Sequence, residues 1–411
     1  MEGPASEAPQ TVATEKLINF VMAPIIFTFE CCKRHYSPEA SKPPATPPST
    51  NSKEETTLLA KQEAIAASKT RSHRRRQTVS HLPARDEELE SEEIESEKLI
   101  DMRVLVKIIK YLLFVVVGLY TVALLGGPAL LFHMMLDKHV DYNNIYDARD
   151  WDLPTPDTLT LLTQDSVKIV ALESRPDYAK AVVICLSGIE NPSVTAFWGH
   201  VREFNKRGIA AILPDLRAHG QSSGERIAMG WEEFRDVAAV TDYIEANYPA
   251  ETPVTILGLS MGAAVAINSI GCNERIDGIV SISGYSSVED ALTDQIQNYI
   301  GVLACPFKPF FSLTAWIKYG VNPWKTRPES AIAKLNGRPA LLMHSKEDSQ
   351  IPFKSFERLT KAAAEAQQQQ VQLLTKEGDN HMFCDRYGDP AADSTYFATV
   401  MDFIESVQRS R

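Results

Sequence analysis

Positive charge is in short supply in this 411-residue sequence, where 42 Lys and Arg face 53 Asp and Glu for a formal net charge of -11. A global electrostatic pull toward nucleic acid or an anionic membrane surface is therefore not expected. Cysteine is also sparse. The six copies, Cys31, Cys32, Cys185, Cys272, Cys305 and Cys384, include no pair at metal-ligand spacing and lack the density of a disulfide scaffold. An acceptable Asn-x-Ser/Thr sequon is missing after residue 132, because Asn191 is followed by Pro192. The most telling absence is of any charge across residues 111–132, YLLFVVVGLYTVALLGGPALLF. A helix of that length crosses a hydrocarbon core of roughly 30 Å, and a soluble core helix would keep a polar stripe.

The sequence accordingly predicts a single transmembrane helix with flanks over residues 103–135. A cleavable signal peptide is excluded, since the run starts far from the N-terminus and carries Gly126, Gly127 and Pro128 inside it. Residues 1–102 are expected to be a mostly disordered tail, rich in Pro, Ser, Thr, Glu and Lys. Within it, 17–29 is apolar, is broken by Pro24 and precedes Cys31, Cys32, Lys33 and Arg34. It reads either as an interfacial segment with acylated cysteines or as a loose docking segment. Arg71, Arg74, Arg75 and Arg76 precede Thr78 and Ser80, as solvated charge or as a site for an arginine-directed kinase.

Beyond the membrane run, short apolar strands alternate with helical stretches, the rhythm of a parallel sheet covered on both faces. Strands are expected at 158–162, 167–172, 181–186, 209–214, 254–259, 276–283, 340–343 and 371–376. A domain spanning 150–411 follows. Between the sixth and seventh strands, Phe307, Phe310, Phe311, Trp316, Tyr319 and Trp324 recur, which suggests a cap over about 287–332 that roofs the site.

Gly-x-Ser-x-Gly occurs twice, at 220–224 and 258–262. The pattern has mechanical meaning only on a sharp strand-to-helix turn, which holds the serine oxygen exposed. Ser260 meets that condition, with Val254-Thr255-Ile256-Leu257 before it and a small-residue helix after it. Ser222 does not. A serine hydroxyl needs a base to take its proton, and the partners of such an elbow follow in the order acid, then histidine. Only His344 and His381 lie beyond Ser260. His344 closes an apolar strand, whereas His381 sits on a loop past the last strand and is the expected base. Asp348, just after the seventh strand, is the expected acid, with Glu289 and Asp290 as substitutes. For the oxyanion, Met261 supplies one backbone donor, and the loop at Gly188 or Ile189 supplies the second.

The segments Asp215-Leu216-Arg217-Ala218-His219-Gly220-Gln221-Ser222, Gly258-Leu259-Ser260-Met261-Gly262, His344 to Pro352 and Asn380-His381 resemble those of serine hydrolases grouped as monoacylglycerol lipase-like or serine aminopeptidase S33-like. The resemblance covers roughly residues 155–408. It implies a three-layer α/β-hydrolase fold with a mostly parallel eight-stranded sheet and a short cap. It also implies hydrolysis of an ester, thioester or occasionally an amide through an acyl-enzyme, without a cofactor. Two departures stand out: the loop at Ser187-Gly188 lacks the usual His before Gly, and Ser345 replaces the usual Gly after His344. His219 is then a structural hydrogen-bonder.

A membrane-anchored esterase or lipase acting on a lipid-like or apolar acyl substrate is the leading expectation. An S33-like peptidase or amidase, and a non-catalytic tethered interaction protein, are the alternatives. No metal and no nucleic-acid partner is expected. Lys98, Arg103, Lys107 and Lys110 precede the apolar run while Lys138 alone follows closely. Positive charge stays on the cytoplasmic side, so the tail is expected in the cytosol and the hydrolase domain on the lumenal or extracellular side.

Overall fold

The structure, a computed structural model, describes residues 84–190 and 192–410. The apolar segment 17–29, Cys31, Cys32, the arginine cluster, Thr78 and Ser80 lie outside the described residues. The described chain falls into two compact units that divide between Val122 and Ala123. Helix α1, Ala84–Leu136, begins in one unit and ends in the other.

Residues 84–102 form the first turns of this helix. Residues 84–102 are too polar to bury a core, which is the reason they read as unordered. They are nevertheless rich in Glu, a good helix former. Extending an existing helix also avoids the cost of nucleation. Within Asp101–Leu136 the most apolar 18-residue window has a mean hydropathy of 2.3, and by length and composition the stretch is long and apolar enough to cross a membrane.

Among the described residues the second unit runs from Ala123 onward. Pro128, Leu131, Phe132 and Leu136 are buried in it. The Phe132 ring meets Trp231, Phe311 and Tyr319 at centroid distances of 5.7, 5.5 and 5.9 Å. Among the described residues before Ala123, the large apolar side chains from Val104 to Leu119 are exposed. The uncharged run therefore has two destinations.

The eight strands are β1 (Asp157–Leu162), β2 (Lys168–Ser174), β3 (Ala181–Leu186), β4 (Ile209–Pro214), β5 (Val254–Leu259), β6 (Gly278–Ile282), β7 (Ala340–Ser345) and β8 (Val371–Lys376). Their order across the sheet is β1-β2-β4-β3-β5-β6-β7-β8. β1 with β2 and β2 with β4 pair antiparallel, and every later pairing is parallel. The buried strands β3, β4 and β5 read as unbroken apolar runs because both faces are covered. On one face Phe197, Trp198, Phe204, Tyr396 and Phe403 build a core with the sheet.

Helices α2 (Trp198–Asn205), α3 (Phe234–Asn247) and α4 (Met261–Ile270) serve the crossovers. Between β6 and β7 run α5 (Val288–Ile300), α6 (Phe307–Tyr319) and α7 (Pro328–Ile332). Helices α8 (Lys354–Glu365) and α9 (Ser394–Ser410) flank β8 in sequence.

Truncating Phe132 to alanine removes a fully buried ring from this cluster. It is expected to cost about 3–5 kcal/mol of the hydrolase unit's stability. Denaturant unfolding of the full chain in detergent checks this, and a loss under about 1 kcal/mol would mean that the helix end is not held by its ring contacts.

Candidate active site

Strand β5 is buried along its whole length and α4 opens at Met261, so a single residue must turn the chain. Ser260 does so at φ 55° and ψ -115°, a strained region for a residue with a side chain, costing of order 1–3 kcal/mol. Two glycines allow the approach this demands. A Cβ on Gly258 would lie 2.3 Å from the Gly262 carbonyl oxygen, and one on Gly262 would lie 2.3 Å from that of Leu186. The Ser260 N–H donates to Ile282 O at 2.8 Å, which ties the turn to the end of β6.

Ser222, in the other Gly-x-Ser-x-Gly, is buried and spent on structure. Its hydroxyl accepts from Val170 N at 2.8 Å and donates to the Asp215 carbonyl at 2.5 Å. That second glycine pair serves a different turn, in which a Cβ on Gly220 would meet the Asp215 carboxylate at 2.3 Å.

Since β5, β7 and β8 run parallel, the segments after them emerge at one edge of the sheet. Asp348 and His381 meet there, with Nδ1 of the imidazole 2.8 Å from Oδ2 of the carboxylate. Their side chains are 0% and 6% exposed, which screens the pair little from its own charges. The other carboxylate oxygen, Oδ1, accepts from the backbone N–H groups of Gln350 and Ile351 at 2.9 Å each. Burial pushes the Asp348 carboxyl up, but the facing His381 and His344 and the backbone donors outweigh it and hold it below the ordinary carboxylate value.

His344 lies 3.6 Å from Asp348 Oδ2, and its Nε2 contacts Ile351 O at 2.8 Å. Burial pushes its pKa below the usual imidazole value. The substitute acids are engaged elsewhere. Asp290 pairs with Lys308 and with the Ser287 hydroxyl, and Glu289 is fully buried with its carboxyl pushed up by burial.

Ser345, read in the sequence as a departure, has a positioning task. Its hydroxyl donates to Asn380 O at 2.7 Å, directly before His381. Ser349 N donates to the Asp379 carboxylate at 2.9 Å, so the acid turn and the histidine loop are tied twice. Sequence reasoning missed this because a hydroxyl partner 35 residues away leaves no local pattern.

The loop after β3 reaches the nucleophile turn, with the Gly188 Cβ direction 3.6 Å from Ser260 Cβ. Met261 opens α4, so its N–H has no acceptor within the helix and is a natural donor to an outside group. Ile189 is buried, and its carbonyl lies 2.7 Å from Nε2 of His219, whose Nδ1 is 2.8 Å from Arg217 O. Burial keeps His219 below the usual imidazole pKa. Arg217 is held in turn by Asp236, through Nη2 at 2.7 Å, Nε at 3.0 Å and its own backbone N–H at 2.9 Å.

Ser260 and Met261 open into an apolar pocket. Helix α5 contributes Val288, Ala291, Leu292 and Gln295, and the acid turn contributes Gln350 and Ile351. Met229, Tyr285, Ile189 and Met135 complete the lining. The aromatics of 307–324 do not roof it. Phe311 is buried against Phe132 and Phe307, while Trp316 and Trp324 are 56% and 54% exposed. The reason is register: Phe307, Phe311 and Ala315 form the buried stripe of α6 at i, i+4 and i+8, and that stripe packs rather than opens.

Sheet order, elbow and inserted helices together define an α/β-hydrolase fold. Within that class, residues 177–330 match the family model of serine aminopeptidase S33, a stretch that contains Ser260 and ends before Asp348 and His381. The Pyrococcus furiosus esterase Pf2001 superposes with a TM-score of 0.52 at 18% identity, over 66% of this chain and 99% of that one. The Bacillus subtilis (strain 168) protein YqkD, itself described as uncharacterized, is 24% identical over 241 residues, which is 57% of this chain and 74% of YqkD.

Replacing Gly262 by alanine would drive a methyl into the backbone of Leu186 and Ser187, at 2.3 and 2.6 Å from their oxygens. The expected cost is about 1–3 kcal/mol, read by denaturant unfolding. Unchanged stability would mean that the β3 loop yields without strain.

Proposed function

We propose that this chain is a membrane-anchored serine hydrolase that cleaves an ester or thioester through an acyl-enzyme. The observation that carries the reading is the buried 2.8 Å pair of His381 and Asp348 at the same sheet edge as the strained Ser260 turn. In this reading Ser260 Oγ attacks the acyl carbonyl carbon and His381 Nε2 takes the hydroxyl proton. Asp348, ionised because its carboxyl is held low, fixes the imidazole through Nδ1 and stabilises the imidazolium. The N–H of Met261, with that of Ile189 or Gly188, stabilises the oxyanion. His381 then protonates the leaving group, and water attacks the acyl-enzyme by the same path in reverse.

The pocket supports an ester or thioester over a peptide amino end. An aminopeptidase must pair the substrate's ammonium with a carboxylate, and the pocket lining contains none. Its residues are mostly Met, Ile, Leu, Val and Ala, suited to a lipid-like or apolar acyl chain.

A fluorophosphonate probe, which reacts only with an activated serine, tests the chemistry. Ser260→Ala is expected to abolish labelling and Ser222→Ala to retain it. Asp348→Asn should lower turnover by about 10⁴-fold. Persistent labelling of the Ser260 variant would sink the assignment.

For the anchor, the four basic residues before the apolar run favour a cytosolic N-terminal side, with the hydrolase domain lumenal or extracellular. An epitope fused at Arg411 should then resist protease in sealed, cytosolic-side-out vesicles. Its digestion without detergent would reverse the topology.

A further inference from the structure

We infer that Met135, at the end of the anchor helix, is a specificity-determining wall of the acyl pocket, so that the segment leaving the membrane run also sets which acyl chains the enzyme accepts. The inference rests on the serine hydrolase reading above and adds a residue to it. Met135 lines the same cavity as Ser260. It belongs to the last turns of α1, which fall within the hydrolase unit.

A wall acts on specificity only if it is held, and this one is fastened on both sides. Before it, Phe132 is buried in the ring cluster with Trp231, Phe311 and Tyr319. Phe132, Met135 and Leu136 stand at i, i+3 and i+4, one face of the helix. After it, the Leu136 carbonyl accepts from Ile227 N at 2.9 Å.

The chain then runs on as a strap against the 215–224 loop. Val140 N donates to Ala218 O at 2.8 Å, and Gly220 N donates back to Val140 O at 2.9 Å. Lys138 pairs with Glu190, next to the oxyanion-loop residue Ile189. A helix end so bound cannot swing away without breaking backbone hydrogen bonds to the loops that frame the site.

Methionine suits this position because its unbranched thioether yields to chains of different shape. A larger, stiffer side chain should shorten the accepted acyl group, and a smaller one should lengthen it. Each buried methylene is worth about fourfold in selectivity.

The test is the ratio of kcat/KM for octanoyl over acetyl p-nitrophenyl esters, measured on the full chain in detergent and normalised to fluorophosphonate-labelled enzyme. Met135→Trp is expected to lower the ratio by about tenfold, and Met135→Ala to displace the optimum to esters longer than octanoyl. Met134→Ala, the neighbour outside the pocket lining, should match the wild-type profile.

If Met135→Trp does not fold, the alanine variant reads the same wall in the opposite sense, as an optimum displaced to longer esters. Profiles within about twofold of wild type for the Met135 variants, or moved as far by Met134→Ala, would overturn the inference while labelling of the wild type upholds the hydrolase reading. A wild-type chain that does not label at all would instead overturn that reading itself.

Discussion

The close approach of three backbones at Ser260 is the constraint on which the site depends. The chain has one residue in which to pass from β5 to α4, and it accepts a positive φ at a residue that has a side chain. Flanking glycines let that turn press against the end of β3, where Leu186 and Ser187 oxygens lie at distances that no Cβ could tolerate. The contact brings the loop holding Gly188 and Ile189 beside the nucleophile. Strain at Ser260 and the proximity of the Gly188 loop are thus one geometric fact, not two.

Polar groups taken out of water hold the surrounding loops in place. The Arg217 guanidinium is 6% exposed and reaches Asp236, which is fully buried, and Asp165. A buried charge is costly unless paired and hydrogen-bonded, and here each partner satisfies the other. His219 extends this framework to the Ile189 carbonyl. Near the Arg217–Asp236 pair, the Glu233 carboxylate accepts from Ala228 N and Gly230 N at 2.7 Å each and fixes Met229 between them. Met229 adopts φ 49° and lines the pocket. Each network fixes a loop that contributes to the pocket lining, at Ile189 and at Met229.

Much of this was legible in the sequence because it obeys local rules. The strands expected at 181–186, 209–214, 254–259 and 371–376 match β3, β4, β5 and β8 to the residue, since buried parallel strands read as apolar runs. The elbow was legible from small residues between a strand and a helix. The meeting of Asp348 with His381 followed from their positions after parallel strands. What escaped depends on distance in sequence. The Ser345 hydroxyl finds its partner across 35 residues, and the pocket draws on α5 rather than the aromatic α6 because of a helical register that composition does not reveal. The early start of α1 escaped for another reason, since its polar first turns carry helix propensity without any core-forming face.

Composition alone also conceals the division within the apolar run. Hydropathy treats residues 111–132 as one segment, because burial in lipid and burial in protein favour the same side chains. Packing separates them. Up to Leu125 the large apolar residues are mostly exposed, whereas Leu131, Phe132 and Leu136 are at most 5% exposed within the hydrolase unit. The exposed part of the run, Val104 to Leu125, is itself about as long as the roughly 20 residues a helix needs to cross a bilayer. Met135 lies past that exposed stretch and lines the pocket. The boundary between the exposed apolar stretch and the packed one falls inside a continuous helix, and Met135 beyond it lines the pocket into which Ser260 opens.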